Sequence, residues 1–249
     1  MRKLIKADIG RILGKKAIWI LMALAIILVS VETLADLDMV NDRGFSFLVG
    51  AVDITSYMGF ILGFILILGV YADDFKSTAY INTIGRGFSR IKFITAKFLD
   101  VIFIVLGCYA VIIVLVFILK AIAGVSFLPV EYEFYFFRML TDILCTIACV
   151  VISSVFFYLT ENATIGVLVY LSVELLIPLV LELTKIVPAV KALNLDKIYI
   201  TGASSIVTSY FLMGSPGIGT LLLLLIIVGY IGGSIAASVL IFKKKELDF

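Results

Sequence analysis

The chain has 249 residues, of which 63% are hydrophobic and only 15% are charged. This composition excludes an ordinary soluble domain and indicates a membrane protein. Histidine is absent and the net charge is only +2, which excludes histidine-based triads and zinc sites and gives no reason to expect a nucleic-acid partner.

The N-terminal segment, residues 1–16, has the pattern of an amphipathic helix. Ile5, Ile9, Ile12 and Leu13 recur at helical spacing, which predicts a helix lying in the membrane interface. Its basic residues are expected to anchor it to anionic lipid; they are Lys3, Lys6, Arg11, Lys15 and Lys16. A second interpretation, an elbow helix that also supports a soluble partner, is compatible with the first.

Six apolar runs are each long enough to cross a bilayer as a helix. They cover residues 17–35, 53–72, 98–119, 139–159, 163–181 and 218–242. The first run ends in acidic residues without a small-residue cleavage site, so we expect it to be retained as a span. The sequence therefore predicts an all-α polytopic membrane protein, with residues 1–249 forming a single transmembrane domain.

The distribution of basic residues predicts the orientation. Fourteen of the twenty Lys and Arg residues lie in the N-terminal segment, the loop after the second span and the C-terminal tail. The positive-inside rule places these regions in the cytoplasm. Both termini are therefore expected to be cytoplasmic, with one long inner loop and one tight inner turn near residues 160–162.

The inner loop after the second span has the pattern of a short helix. Asp73 and Asp74 suit a helix N-terminus, and Ile81 and Ile84 give the helix a small apolar face. This pattern is typical either of a knob that docks to something in the cytoplasm or of a well-packed connector.

The same loop contains signals for a turn and a second helix. Gly85 and Gly87 can end the first helix in left-handed conformations, and Ser89 can cap the helix that enters the third span. Arg86 and Arg90 would rim the apolar face.

This loop resembles that of the type-2 ATP-binding-cassette (ABC) permeases, in which it is a coupling helix that sits in a cleft of a partner ATPase. The matching positions are Asp73, Asp74, Ser77, Thr78, Ile81, Ile84, Arg86, Gly87, Phe88, Ser89, Arg90 and Lys97. Ser77 departs from the family, in which glycine commonly precedes the threonine. The six-span topology extends the resemblance over the entire chain.

The resemblance implies that residues 73–92 form a coupling-helix loop. Its ATPase contacts would be Asp73, Asp74, Ser77, Thr78, Ile81, Ile84, Arg86, Phe88 and Arg90, with Glu161 in the tight inner turn as a second, smaller docking point. The chain contains no G-x-x-x-x-G-K-[ST] phosphate loop, so we expect a non-catalytic subunit without a cofactor of its own. ATP and magnesium would be bound by a separate ATPase.

Within the family, small permeases without a fused ATPase resemble subunits that export antimicrobial peptides, or confer immunity to them, in Gram-positive bacteria. The expected assembly is two identical permeases with two ATPases in the bacterial cell membrane, and the expected cargo is an amphipathic peptide. The alternative is an ion-coupled carrier or channel that acts without an ATPase.

Glu174 lies near the middle of the fifth span, where an ionised side chain is costly. It either contacts cargo or forms an interhelical hydrogen bond, and the sequence leaves both interpretations open. Arg138 and Asp142 are spaced for a local ion pair in the fourth span. Cys145 and Cys149 share a helical face but have too few further ligands nearby to predict a metal site.

Overall fold

The computed structural model describes residues 2–35, 43–77, 79–184, 199–200 and 217–244. Every regular element within these ranges is a helix. In chain order the α-helices are α1 (Arg2–Leu13), α2 (Lys16–Ala35), α3 (Arg43–Leu66), α4 (Asp73–Lys76), α5 (Ala79–Gly85), α6 (Arg90–Ala123), α7 (Pro129–Thr160), α8 (Ala163–Leu171), α9 (Ile177–Thr184) and α10 (Gly217–Lys244). Two π-helical turns, Ile67–Ala72 and Ser172–Leu176, join α3 to α4 and α8 to α9.

Six helical stretches are long and apolar enough to cross a membrane. They are Lys16–Thr33, Gly44–Lys76, Arg90–Ala123, Pro129–Thr160, Ala163–Leu183 and Leu224–Lys244. The prediction of an all-α chain with six candidate spans is thereby confirmed, and we treat the chain as a multi-pass membrane protein. The cytoplasmic location of the termini stays a prediction.

The second span continues without a break into the acidic pair that follows it. Ala72, which precedes α4, has α-helical backbone angles, and the π-helical turn 67–72 runs directly into α4. The expectation that Asp73 and Asp74 begin a helix with a free N-terminus is therefore wrong. The backbone N–H groups at this point belong to a continuous helix, so the two carboxylates need other partners.

The turn between α5 and α6 follows the sequence signals in part. Gly87 has a φ of +91°, a conformation that costs glycine little. Ser89 caps α6, because its Oγ accepts a hydrogen bond from the Lys92 backbone N–H at 3.3 Å. Gly85 differs from the prediction, since it is the last residue of α5 and has no left-handed conformation.

The joint between α1 and α2 is stabilised by the only tryptophan in the sequence. Trp19 Nε1 donates a hydrogen bond to the Leu13 carbonyl oxygen at 2.7 Å. This carbonyl ends α1 and has no partner within that helix. The indole therefore fixes α1 against the start of the first span. Ile12 of α1 is fully buried, which also holds this helix against the bundle.

The long helix α7 lies in the centre of the bundle and packs against α3, α8 and α10. Among the glycines that the structure describes, Gly166 of α8, which faces α7, leaves the least room for a side chain. A Cβ atom added to Gly166 would lie 2.1 Å from a ring carbon of Phe157, which is fully buried. Only glycine fits here without displacing an aromatic ring of the core.

We expect Gly166→Ala to lower the thermal stability of the purified protein, because overpacking a tight core contact costs about 1–3 kcal/mol. Gly107→Ala is the matched control, since a Cβ there would meet nothing within 4 Å. Thermal unfolding of both variants in the same detergent tests this. Equal melting temperatures would contradict the packing described for Gly166.

Candidate coupling site

Charged side chains from three parts of the chain meet at the end of the bundle that carries α1. Three cations and four carboxylates form this group, which we call the ionic cluster: Asp8, Arg11, Lys15, Asp73, Asp74, Lys97 and Asp100. It joins α1 to the end of the second span and to the start of the third. The hydrogen-bonded pairs Arg11–Asp74, Lys15–Asp73 and Lys97–Asp8 are 58 to 89 residues apart in the sequence.

Lys97 lies at the centre of the ionic cluster and is 1% exposed. Its Nζ lies 2.7 Å from Asp8 Oδ2 and also pairs with Asp74. Arg11 pairs with Asp74 as well, and Lys15 pairs with Asp73. A buried charge is costly unless it is paired, so these contacts hold α1, α4 and α6 together.

Arg11 keeps its charge within the ionic cluster. Burial of the guanidinium lowers its pKa, but the hydrogen bond to Asp74 and the charges of Asp74, Asp8 and Asp73 outweigh burial, and the pKa is raised overall. Arg11 is therefore a permanent cation.

The five basic residues assigned to interfacial anchoring divide into two groups. Arg11 and Lys15 point into the ionic cluster, because Asp73 and Asp74 offer them partners. Lys6 and Lys16 are exposed, and the Lys3 side chain lies outside the described part of the chain. Anchoring to lipid stays a prediction for the exposed lysines.

Two members of the ionic cluster were assigned no role from the sequence. Asp8 interrupts the apolar stripe of α1 between Ile5 and Ile12, and Asp100 is a carboxylate just inside a long apolar run. Those positions were the available signals. Asp100 is fully buried, and neither carboxylate oxygen has a hydrogen-bond partner within the described ranges. Its electrostatic neighbours are Asp8, Lys97 and Asp74.

The apolar face predicted for α5 lies partly inside the protein. Ile81 and Ile84 are half-buried and pack against the core of the bundle. The exposed residues of this helix and its turn are polar or small, and include Asn82, Gly85 and Arg86. The expectation of a free apolar knob therefore needs correction, because part of its surface is used by the chain itself.

The remaining loop positions predicted to contact an ATPase have mixed environments. Ser77 is exposed, and its Oγ donates a hydrogen bond to the Asp73 carbonyl oxygen at 2.7 Å. Phe88 is half-buried, and Thr78 lies outside the described residues.

Arg90 binds the end of the last helix. Its Nη1 donates to the Phe242 carbonyl oxygen at 2.7 Å and to that of Lys243 at 3.3 Å, and the guanidinium lies 5.8 Å from the centre of the Phe242 ring. The last carbonyls of a helix have no partners within it, and a cation there is favourable. Arg90 therefore holds α10, which differs from its expected place at the rim of a docking surface.

The two loops at this end contact each other through Tyr80 and Glu161. Tyr80 is 3% exposed, with its ring 4.7 Å from that of Phe75 and 6.2 Å from that of Phe242. Burial, followed by a hydrogen bond to Glu161 and the charge of its carboxylate, raises the pKa of Tyr80 to about 12. Glu161 ends α7 with a φ of +53°. The loop after the second span and the tight turn at residues 160–162 are thus in contact.

Glu174 lies within the π-helical turn 172–176 of the fifth span. The turn precedes Pro178, which has no N–H to bond the carbonyl of residue 174, and this explains why the α-helical pattern is interrupted here. The Glu174 carboxylate is half-buried and within hydrogen-bonding reach of Cys149 and Tyr170. The structure therefore places an acidic group at an irregular point of a span, beside α7.

Arg138 and Asp142 form the expected pair, with 3.5 Å between Nε and Oδ2. Ser56 of α3 extends the pair across the bundle, because its Oγ donates to Asp142 Oδ2 at 2.9 Å and accepts from Arg138 Nη2 at 3.1 Å. These contacts form a polar link between α3 and α7 inside the bundle.

In comparisons with known proteins, no family model matches this chain, and no curated protein matches it at a significant level. The class that the fold defines is that of α-helical multi-pass membrane proteins.

Proposed function

We propose that the chain is the permease subunit of an ATP-driven ABC exporter in a bacterial cell membrane. Two copies and two ATPase subunits would form the complex, and the cargo would be an amphipathic or antimicrobial peptide. The observation that carries this proposal is the short helix α5, which follows the second span and contacts Glu161 at the end of α7 and Phe242 of α10 through Tyr80.

The contacts of α5 suit an element that transmits a movement to the spans. The ionic cluster links the segment before it to α1 and α6. Tyr80 contacts Glu161 at the end of α7 and Phe242 near the end of α10. A push on α5 from an attached ATPase would therefore reach several helices at once, which is what switching between two access states requires.

The exposed faces of the spans support a second permease copy. Gly229, Gly232 and Gly233 of α10 lie on a surface where an added Cβ would meet nothing within 4 Å, so their small size serves no packing within the described chain. Small residues let helices of separate subunits approach closely. Six spans are also few to enclose a peptide-sized route.

The docking part of the proposal is tested at the exposed face of α5. We expect the double variant Asn82→Glu/Arg86→Glu to reduce co-purification of a co-expressed partner ABC ATPase by about tenfold or more, because it makes the charge of the contact surface negative. Both positions are exposed, so the fold should survive. Lys244→Glu, also exposed but on α10, is the matched control.

Undiminished capture of the ATPase by the double variant would refute docking through α5. Cargo transport by the purified chain in lipid vesicles without any ATPase would refute the exporter proposal as a whole.

A second candidate, an ion-coupled carrier, is favoured by one observation. Asp100 is a fully buried carboxylate whose electrostatic neighbours are Asp8, Lys97 and Asp74, and buried ionisable groups mark proton or ion pathways in membrane proteins. Uptake driven by an imposed pH gradient, without ATP and abolished by Asp100→Asn, would support this candidate over the exporter.

A further inference from the structure

An apolar groove opens on the outer surface of the bundle between α1, α2 and α6. Its volume is about 420 Å³, and none of its lining residues is charged. Ile9 and Leu13 form its α1 wall, Trp19 and Ala23 its α2 wall, and Phe103 and Gly107 its α6 wall. The lining residues extend from 18 to 26 on α2 and from 103 to 111 on α6, or roughly 12 Å along each helix.

Two lysines of this segment whose side chains the structure describes, Lys6 and Lys16, lie outside the ionic cluster and on the helix stripes that form the groove. Lys6 precedes Ile9 and Leu13 at i, i+3 and i+7 along α1. Lys16 precedes Trp19 and Ala23 at the same spacing along α2. Residues so spaced share one helical face. Both lysines are exposed, and no ion pair involves either one in the part of the chain that the structure describes.

The cations of this segment therefore differ according to the side on which they lie. Arg11 and Lys15 face the bundle and are paired with carboxylates. Lys6 and Lys16 lie on the groove side, where they can bind a ligand. A narrow apolar groove with cations at one end complements a molecule with a long hydrocarbon chain and an anionic head. A membrane supplies such molecules, and amphipathic segments with lysines on their polar face attract anionic lipids.

We propose that this groove is a binding site for one anionic phospholipid. An acyl chain would lie along Trp19, Ala23 and Gly107, and the phosphate would pair with Lys6 and Lys16. Both walls that reach into the membrane belong to spans, while α1 closes the end that carries the lysines. The site does not depend on the proposed export function.

Trp19 provides the measurement, because it is the only tryptophan and lines the groove. The full chain is reconstituted into phosphatidylcholine vesicles that contain a small fraction of phosphatidylglycerol with brominated acyl chains, which quench indole fluorescence on contact. A second set contains brominated phosphatidylcholine at the same fraction, in vesicles with unbrominated phosphatidylglycerol. We expect a preference of about fivefold or more for the anionic quencher, since each lysine adds attraction to an anionic headgroup.

Two variants, each with a control, test separately the part of the site that would hold the acyl chain and the part that would hold the phosphate. Gly107→Leu places a side chain in the groove at a position where an added Cβ meets nothing within 4 Å, and should weaken quenching by both lipids at low fraction. Gly232→Leu is its control, as it also has open space but lies on α10. Lys6→Gln/Lys16→Gln should remove the preference, whereas Lys92→Gln/Lys244→Gln, at exposed positions elsewhere, should retain it.

Equal quenching by the two brominated lipids in the unaltered chain would overturn the proposal, because Trp19 would then sample bulk lipid alone. Unchanged quenching in Gly107→Leu would also overturn it. If neither lipid quenched Trp19 even at high fraction, the groove would be covered by protein, such as a second copy of the chain, and the lipid site would be excluded.

Discussion

Lys97→Met is expected to be the most damaging single substitution in the chain. The methionine fills a similar volume but removes the cation that pairs with Asp8 and Asp74, both of which are buried. Removing one partner from a buried ion pair typically costs about 3–5 kcal/mol, because an uncompensated charge remains. We expect the melting temperature of the purified protein to fall by about 10 °C or more, since 1 kcal/mol corresponds to roughly 2–4 °C in a protein of this size.

The matched control for this prediction is Lys92→Met. Lys92 is exposed and lies on the same helix, so its replacement should change stability by no more than about 0.5 kcal/mol. Adding Asp8→Asn to Lys97→Met should restore part of the loss, because it removes one of the four carboxylates that would otherwise share the two remaining cations, Arg11 and Lys15. A Lys97→Met protein that melts with the control would contradict the role assigned to the ionic cluster.

Glu174→Gln is expected to slow peptide transport at least tenfold if the carboxylate lies on the cargo route. The substitution keeps the shape of the side chain and removes its charge. A hydrogen bond to a charged group contributes about 1.5–3 kcal/mol, which is a factor of roughly ten to a hundred in affinity for a cationic group. Initial rates of uptake of a cationic amphipathic peptide by vesicles containing the complete complex measure the effect.

Glu133→Gln, at an exposed position of α7, is the control for Glu174. The melting temperature of Glu174→Gln distinguishes two roles of Glu174, a contact with cargo and a structural hydrogen bond to Cys149 or Tyr170. A large loss of stability with unchanged transport in the surviving protein would assign Glu174 to packing and remove it from the route.

The six spans could be predicted because a membrane helix depends mainly on local properties. About 20 consecutive apolar residues suffice, and such runs are visible in a single sequence. The Ser89 cap was predictable for the same reason, since its partner Lys92 lies three residues away. The Arg138–Asp142 pair likewise follows from helical spacing.

The ionic cluster and the contact of Arg90 with α10 were harder to predict because their partners are distant in sequence. No local pattern indicates that Lys97 meets Asp8, or that Arg90 binds the backbone of Phe242, 152 residues further on. A backbone carbonyl carries no residue-specific signal at all. The acidic pair was given a local role as a helix start, whereas its true partners come from α1 and α6. The π-helical turns depend on backbone hydrogen bonding that composition does not reveal.

The π-helical turn 67–72 determines the direction in which Asp73 and Asp74 point. Such a turn accommodates one residue more than an α-helix would. Shortening it by one residue would let the second span become regular, yet would swing both aspartates about 100° around the helix axis. They would then face away from Arg11, Lys15 and Lys97. The π-helical turn 67–72 therefore gives the two aspartates the orientation in which they can pair with these cations.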